Sequence, residues 1–145
     1  ITSSFCFSDR LARENSWSTE FTLRTIHEYK KFIYLICISD SPQTPSDQID
    51  QTWHLHLLYT HSYWIDFCKN TLNKSIHHGP TKGIEEKNDF KLAYQDTLNL
   101  YLKEFNENAP TDIWPDVEKR FKYINYSRVN KHNNWILPKF NLFKL

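Results

Sequence analysis

A chain of 145 residues makes about one domain and can bury a real core. Its 18 basic and 17 acidic residues leave a formal net charge of +1, which supplies no electrostatic footprint for nucleic acid or an anionic membrane as partner. Two glycines and an aromatic share of 16% argue against a turn-rich β fold and for helices.

The elements can be taken in chain order. Ser8 is placed to cap a short helix, DRLARENS, and Ser18 a second one running to about Ile38. In the second, Phe21, Ile26, Tyr29, Ile33 and Ile36 recur at helical steps. Its last two turns, Phe32 to Ile38, are apolar all round, which predicts a buried central helix. SDSPQTP (39–45) is a breaker cluster. Ser46 then caps a third helix, Asp47 to Tyr59, with Ile49, Trp53 and Leu57 as its apolar stripe.

Thr60 or Ser62 opens a fourth helix to about Leu72, with Tyr63–Phe67 and Trp64–Cys68 as i,i+4 pairs. Asn73 to Gly83 is irregular. A fifth helix, from about Glu86 to Phe105, carries the cleanest period: Phe90, Tyr94, Thr97, Leu98, Tyr101 and Phe105. Pro115 suits the first turn of a sixth, DVEKRF. The expected fold is all-α, a single compact domain of about six helices around a central hydrophobic helix, with an extended C-terminal arm. Residues 1–122 form the helical domain; 123–145 form the arm, which packs Trp135 back on that body.

Three cysteines, Cys6, Cys37 and Cys68, form no CxxC pair and leave an odd one, so reduced thiols in the cytoplasm fit better than a disulfide framework. No apolar run reaches the length of a membrane span. The first residue is Ile rather than Met, and the chain is read as a piece or processed form of a larger parent.

Chemistry concentrates between Thr44 and Pro80, which hold five of the seven histidines. On a helix turning about 100° per residue, Asp50, His54 and His61 share a face, while His56 lies about 160° from His54. His54 and His56 therefore cannot chelate one ion from a regular helix. Asp50 is the i,i+4 partner of His54, as an oxygen ligand or as the carboxylate that orients the imidazole. The fourth helix is short, so its C-terminal loop is expected to return His77 or His78 to the start of the third.

Asp50, His54, His77 and His78 are thus the candidate metal ligands. Their borderline nitrogen and oxygen atoms suit a divalent ion, zinc above all. So few protein ligands leave a position open for water, the mark of a catalytic rather than a structural metal. The bland reading has weight: an Asp–His pair on a helix is commonly a salt bridge, and Trp53, Trp64 and Cys68 are better read as core. GxSxG, HExxH and a glycine-rich phosphate loop are all absent.

Ile49-Asp50-x-x-Trp53-His54-x-His56-Leu57, followed by Thr60, Tyr63, Phe67-Cys68 and Ile76-His77-His78-x-Pro80, resembles the glycine-rich domain-containing protein-like family. RLARENSWS, EYKKF and DIWPDVEKRF extend the resemblance over roughly Phe7 to Phe121. It implies a helical domain with no established activity. In some bacterial relatives such a domain precedes hydrophobic segments, which implies a membrane-attached parent. The region that names the family is missing from this chain.

Two readings result. In one, this is a metal-binding domain, and an enzyme if the open position is used. In the other, it is a protein-interaction module in which the WHxH segment is structural and the partner is a protein.

Overall fold

The computed structural model describes residues 6–79, 87–123, 125–127 and 129–137. Among these are α1 (Phe7–Asn15), α2 (Thr19–Ile38), α3 (Asp47–Leu58), a π-helix, π1 (Ser62–Leu72), α4 (Lys87–Phe105) and α5 (Val117–Lys122). No strand occurs among the described residues, and the fold is all-helical as expected. No described helix is long and apolar enough to cross a membrane.

The caps follow the sequence in two helices, and a third is capped where none was expected. Ser18 accepts from the Phe21 amide, Ser46 from Ile49 and Asp116 from Lys119, each satisfying an amide that has no partner inside its helix. Three expectations at helix starts need correction. The fourth helix has neither Thr60 nor Ser62 as its cap: His61 stands at its N-cap with no side-chain hydrogen bond, and Ser62 is its first residue. The first helix starts at Phe7 with Cys6 as its uncapped N-cap, and Ser8 lies inside its first turn with its hydroxyl 3.1 Å from the Cys6 thiol. Pro115 stands before α5 rather than in it, and its carbonyl accepts a hydrogen bond from Tyr94. Glu86, the expected start of the fifth helix, lies outside the described residues, as do Pro80, Gly83 and Pro138.

Helix α2 is the hub, packing against α1, α3 and α4. Tyr29, Phe32, Ile33 and Leu35 are its buried apolar positions. Its end is not buried all round, since Tyr34 and Ile38 are over 40% exposed (46% and 42%). Leu35 is fully buried there and Ile36 and Cys37 pack against the core, while Tyr34 meets only the rim of α4 at Phe105. The core joins Tyr29, Phe32 and Ile33 to Ile49, Trp53, Tyr63, Cys68, Tyr94 and Trp114. Each buried side chain of this size contributes about 1.5–3 kcal/mol over leaving it in water. Of the other expected core positions Tyr101 is buried, while Phe21, Ile36, Leu57, Phe67 and Leu98 pack partly buried against the cluster.

The fourth helix is wound differently from expectation. It is a π-helix, in which backbone contacts run i to i+5. Thr71 Oγ1 donates to the Asp66 carbonyl five residues back. Its buried positions, Tyr63 and Cys68, are likewise five apart rather than four. Asn73, in the left-handed region at φ 51°, ends it and turns the chain back along α3.

Three contacts fix the start of α3. The Thr44 amide donates to the buried Thr97 hydroxyl on α4. Arg120 on α5 forms an ion pair with Asp47 at 2.6 Å, and Asn125 donates to the same carboxylate. Trp135 does not pack back on the body, as it is 97% exposed. The buried core cluster is drawn from residues between Tyr29 and Trp114 and is complete without this indole.

Candidate metal centre

The first turn of α3 carries Asp50, and the next turn His54 on the same face. Their Oδ2 and Nε2 atoms are 3.8 Å apart. The loop after π1 brings His78 to the same carboxylate, with Nε2 2.7 Å from Asp50 Oδ1. The two imidazole rings lie 4.6 Å apart between centroids. One ligand atom from each of Asp50, His54 and His78 lies within 4.8 Å of the others. A tetrahedral ion about 2.0–2.1 Å from each ligand needs them about 3.3 Å apart. His54 is half exposed, so rotation of its side chain can close that difference.

The loop is held by a buried relay. Trp53 Nε1 donates to the Tyr63 hydroxyl at 2.9 Å, and that hydroxyl donates to the Ile76 carbonyl at 2.7 Å. Burial pushes the Tyr63 phenol up to about 12, so it keeps its proton and the relay its direction. Ile76 is buried two residues before His78, and the His78 ring lies edge-on against Trp53 at 4.4 Å. One tryptophan therefore both fills the core and forms a wall of the candidate site. This positioning role of Tyr63 and Ile76 was not read from the sequence. Tyr63 is ten residues from Trp53 and Ile76 thirteen beyond that, and no helical period links them.

The remaining histidines are elsewhere. His77 is exposed and lies over Trp64 at 5.3 Å, outside the Asp50–His54–His78 group. His56 faces the opposite way, as the helix geometry requires. It sits among Phe7, Tyr29, Tyr63 and Phe67 with Nδ1 3.0 Å from the Tyr29 hydroxyl. Burial pushes the His56 pKa down and the Tyr29 pKa up. Both are then neutral and share one hydrogen bond. His61 is exposed, with Nδ1 3.4 Å from Asp66.

Beside His54 a cleft of about 430 Å³ opens between α1 and α3, with Glu14, Asn15 and Gln51 as polar lining and Leu55, Leu57 and Leu58 as apolar lining. Another, of about 500 Å³, lies across the molecule over Glu28 and Tyr101 and has no part in this cluster.

A family model described as UCP032817-like matches residues 7–112, which is most of the chain and includes the whole Asp50–His78 segment. The chain belongs to the UCP032817-like family. That assignment replaces the resemblance to the glycine-rich domain-containing protein-like family, and what was implied through that resemblance lapses with it. The motif behind it is short, and an Asp and a His one turn apart beside a core Trp suit many helical frameworks. No curated protein and no solved structure matches the chain.

Proposed function

We propose that Asp50, His54 and His78 bind one divalent cation, with zinc the best fit, and that the cation activates water for a ligand held in the cleft beside His54. The observation that carries this reading is the convergence of three ligand atoms within 4.8 Å of one another, from a helix and from a loop more than twenty residues further on. Two imidazoles and a carboxylate form a borderline donor set suited to zinc. Three protein ligands leave a fourth position for water, whose pKa a bound zinc lowers towards neutrality. His77, one residue away, belongs to the support of the loop rather than to the ligand set.

A second reading has an observation in its favour. The 2.7 Å contact between His78 and Asp50 is complete without a metal and ties the loop to α3. In that case the segment is structural and the domain is a protein-interaction module.

Metal analysis of protein purified without a histidine tag separates the two. Near-stoichiometric zinc is expected, lost in His54→Ala and His78→Ala and retained in His77→Ala. Protein that carries no metal, and whose melting midpoint does not move when zinc is added, would leave only the structural tether.

A further inference from the structure

The cleft beside His54 has a definite order along α3. Gln51, His54, Leu55 and Leu58 line it at i, i+3, i+4 and i+7, the spacing of one helix face, and they cover about 10 Å of helix axis. An extended peptide advances about 3.3 Å per residue, so this face is about three peptide residues long. The amide of Gln51 stands at the end next to Asp50, and the leucines stand at the other. Glu14 and Asn15, in the last turn of α1, line the cleft from across it.

The polar groups of the lining are amides and one engaged acid. Glu14 is that acid, and the Arg10 guanidinium holds it at 2.7 Å. Asn15 donates through Nδ2 to the Leu11 carbonyl, which leaves its Oδ1 as an acceptor. The Gln51 side chain has no hydrogen-bond partner among the described residues. Leu58 is 66% exposed beside the buried Leu55, so the apolar end of the face is open to a ligand.

Taking the metal site above as given, we propose that the cleft takes an uncharged peptide segment with a bulky apolar side chain, and that the bond cleaved is the peptide bond beside that residue. A peptide unit brings one N–H and one carbonyl, which match the Asn15 Oδ1 acceptor and the Gln51 Nε2 donor. An ester of the same shape has no N–H and leaves the acceptor unmatched. A free terminal ammonium finds the only acid of the lining already held by Arg10. Leu58 lies about 6 Å along the axis from His54, so the apolar side chain falls within two residues of the reacting carbonyl. In the reaction the oxygen of water bonds to the carbonyl carbon and the C–N bond breaks. Both protons of that water end on the departing nitrogen. One water is consumed, and the products are a carboxylate and an ammonium.

Two measurements on the whole chain keep binding apart from cleavage. In the first, metal-free chain is titrated with acetyl-Ala-Leu-Ala-amide and followed by NMR. Shifts are expected at the Gln51 and Asn15 side-chain amides and at the Leu55 and Leu58 methyls. An analogue with an ester in place of one peptide bond of the leucine should bind about five- to tenfold more weakly, and Gln51→Ala should weaken the peptide by a similar factor. Leu58→Ser should also weaken it while leaving the melting midpoint in place, since that side chain is mostly exposed. In the second, zinc is added and the release of amine is followed. Cleavage is expected, and His54→Ala should abolish it while still binding the peptide. A chain that takes up zinc but neither binds nor cleaves the peptide overturns this proposal and leaves the metal site standing. Equal binding of ester and amide overturns the choice of a peptide. Peptide binding by a chain that takes up no zinc overturns the cleavage together with the metal site.

Discussion

Two carboxylates in this domain organise polar clusters of opposite character. Glu28, 5% exposed, accepts from Trp114 Nε1 at 3.0 Å and from the Tyr101 hydroxyl at 3.2 Å, and Lys31 Nζ lies 3.2 Å away. Asp50, about a quarter exposed, is approached by two imidazoles. The partners of Glu28 are all donors. An indole N–H, a phenol and an ammonium satisfy a buried charge but offer little to a metal. The partners of Asp50 have lone pairs of their own and can turn them to a shared ion. What surrounds a carboxylate, more than its depth alone, decides whether it serves as a structural tie or as part of a site.

The largest expected effect breaks the Asp50 side of this comparison through its wall. Trp53→Ala should destabilise by about 3–5 kcal/mol, as removal of a buried aromatic does, and should release the Tyr63–Ile76 relay. Denaturant unfolding measures it; a midpoint within error of the parent would mean that Trp53 is not a core residue. Next, the two carboxylates should respond unequally to truncation. Glu28→Ala leaves a buried indole and phenol without their acceptor and should cost about 3 kcal/mol. Asp50→Ala, at a partly solvated site, should cost about 1 kcal/mol. Equal losses in the same denaturation experiment would remove the distinction between tie and site.

The smallest effect concerns the rim of the Glu28 side, where Arg24 holds Asp112 through two hydrogen bonds of 2.8 and 2.9 Å. The Arg24 guanidinium holds the Asp112 carboxyl below its usual range, and Lys31 does the same to Glu107. A depressed carboxylate pKa adds stability above the unfolded value of about 4 and loses it as pH falls through the folded value. Arg24→Ala should therefore melt slightly below the parent at neutral pH, with the gap closing as pH falls through the depressed Asp112 pKa. A gap that does not change with pH would mean that the pair contributes no charge interaction.

Much of this was legible in the chain. Ser18 and Ser46 mark their helices because a hydroxyl before an apolar period has one evident use. The separation of His54 from His56 follows from the pitch of a helix alone. Other features were not legible. The fourth helix carries good i,i+4 pairs and yet winds as a π-helix, because burial of both Tyr63 and Cys68 is a demand of the whole core. Ser8 had the chemistry of a cap, but the helix began two residues earlier than such a cap requires, at Phe7.

By itself, then, the sequence determined the helical class, the positions of the breaks and the side of α3 on which Asp50 and His54 lie, since periodicity and capping are local. Only the tertiary structure decided between His77 and His78. Adjacent residues in a loop have no fixed phase, and their directions are set by what anchors the loop. Here the anchor is the Ile76 carbonyl on Tyr63, which is itself held by Trp53. The acceptance of Trp and Tyr protons by Glu28 was likewise hidden, because those partners are 86 and 73 residues away. No local pattern carries such pairings, and packing alone brings them together.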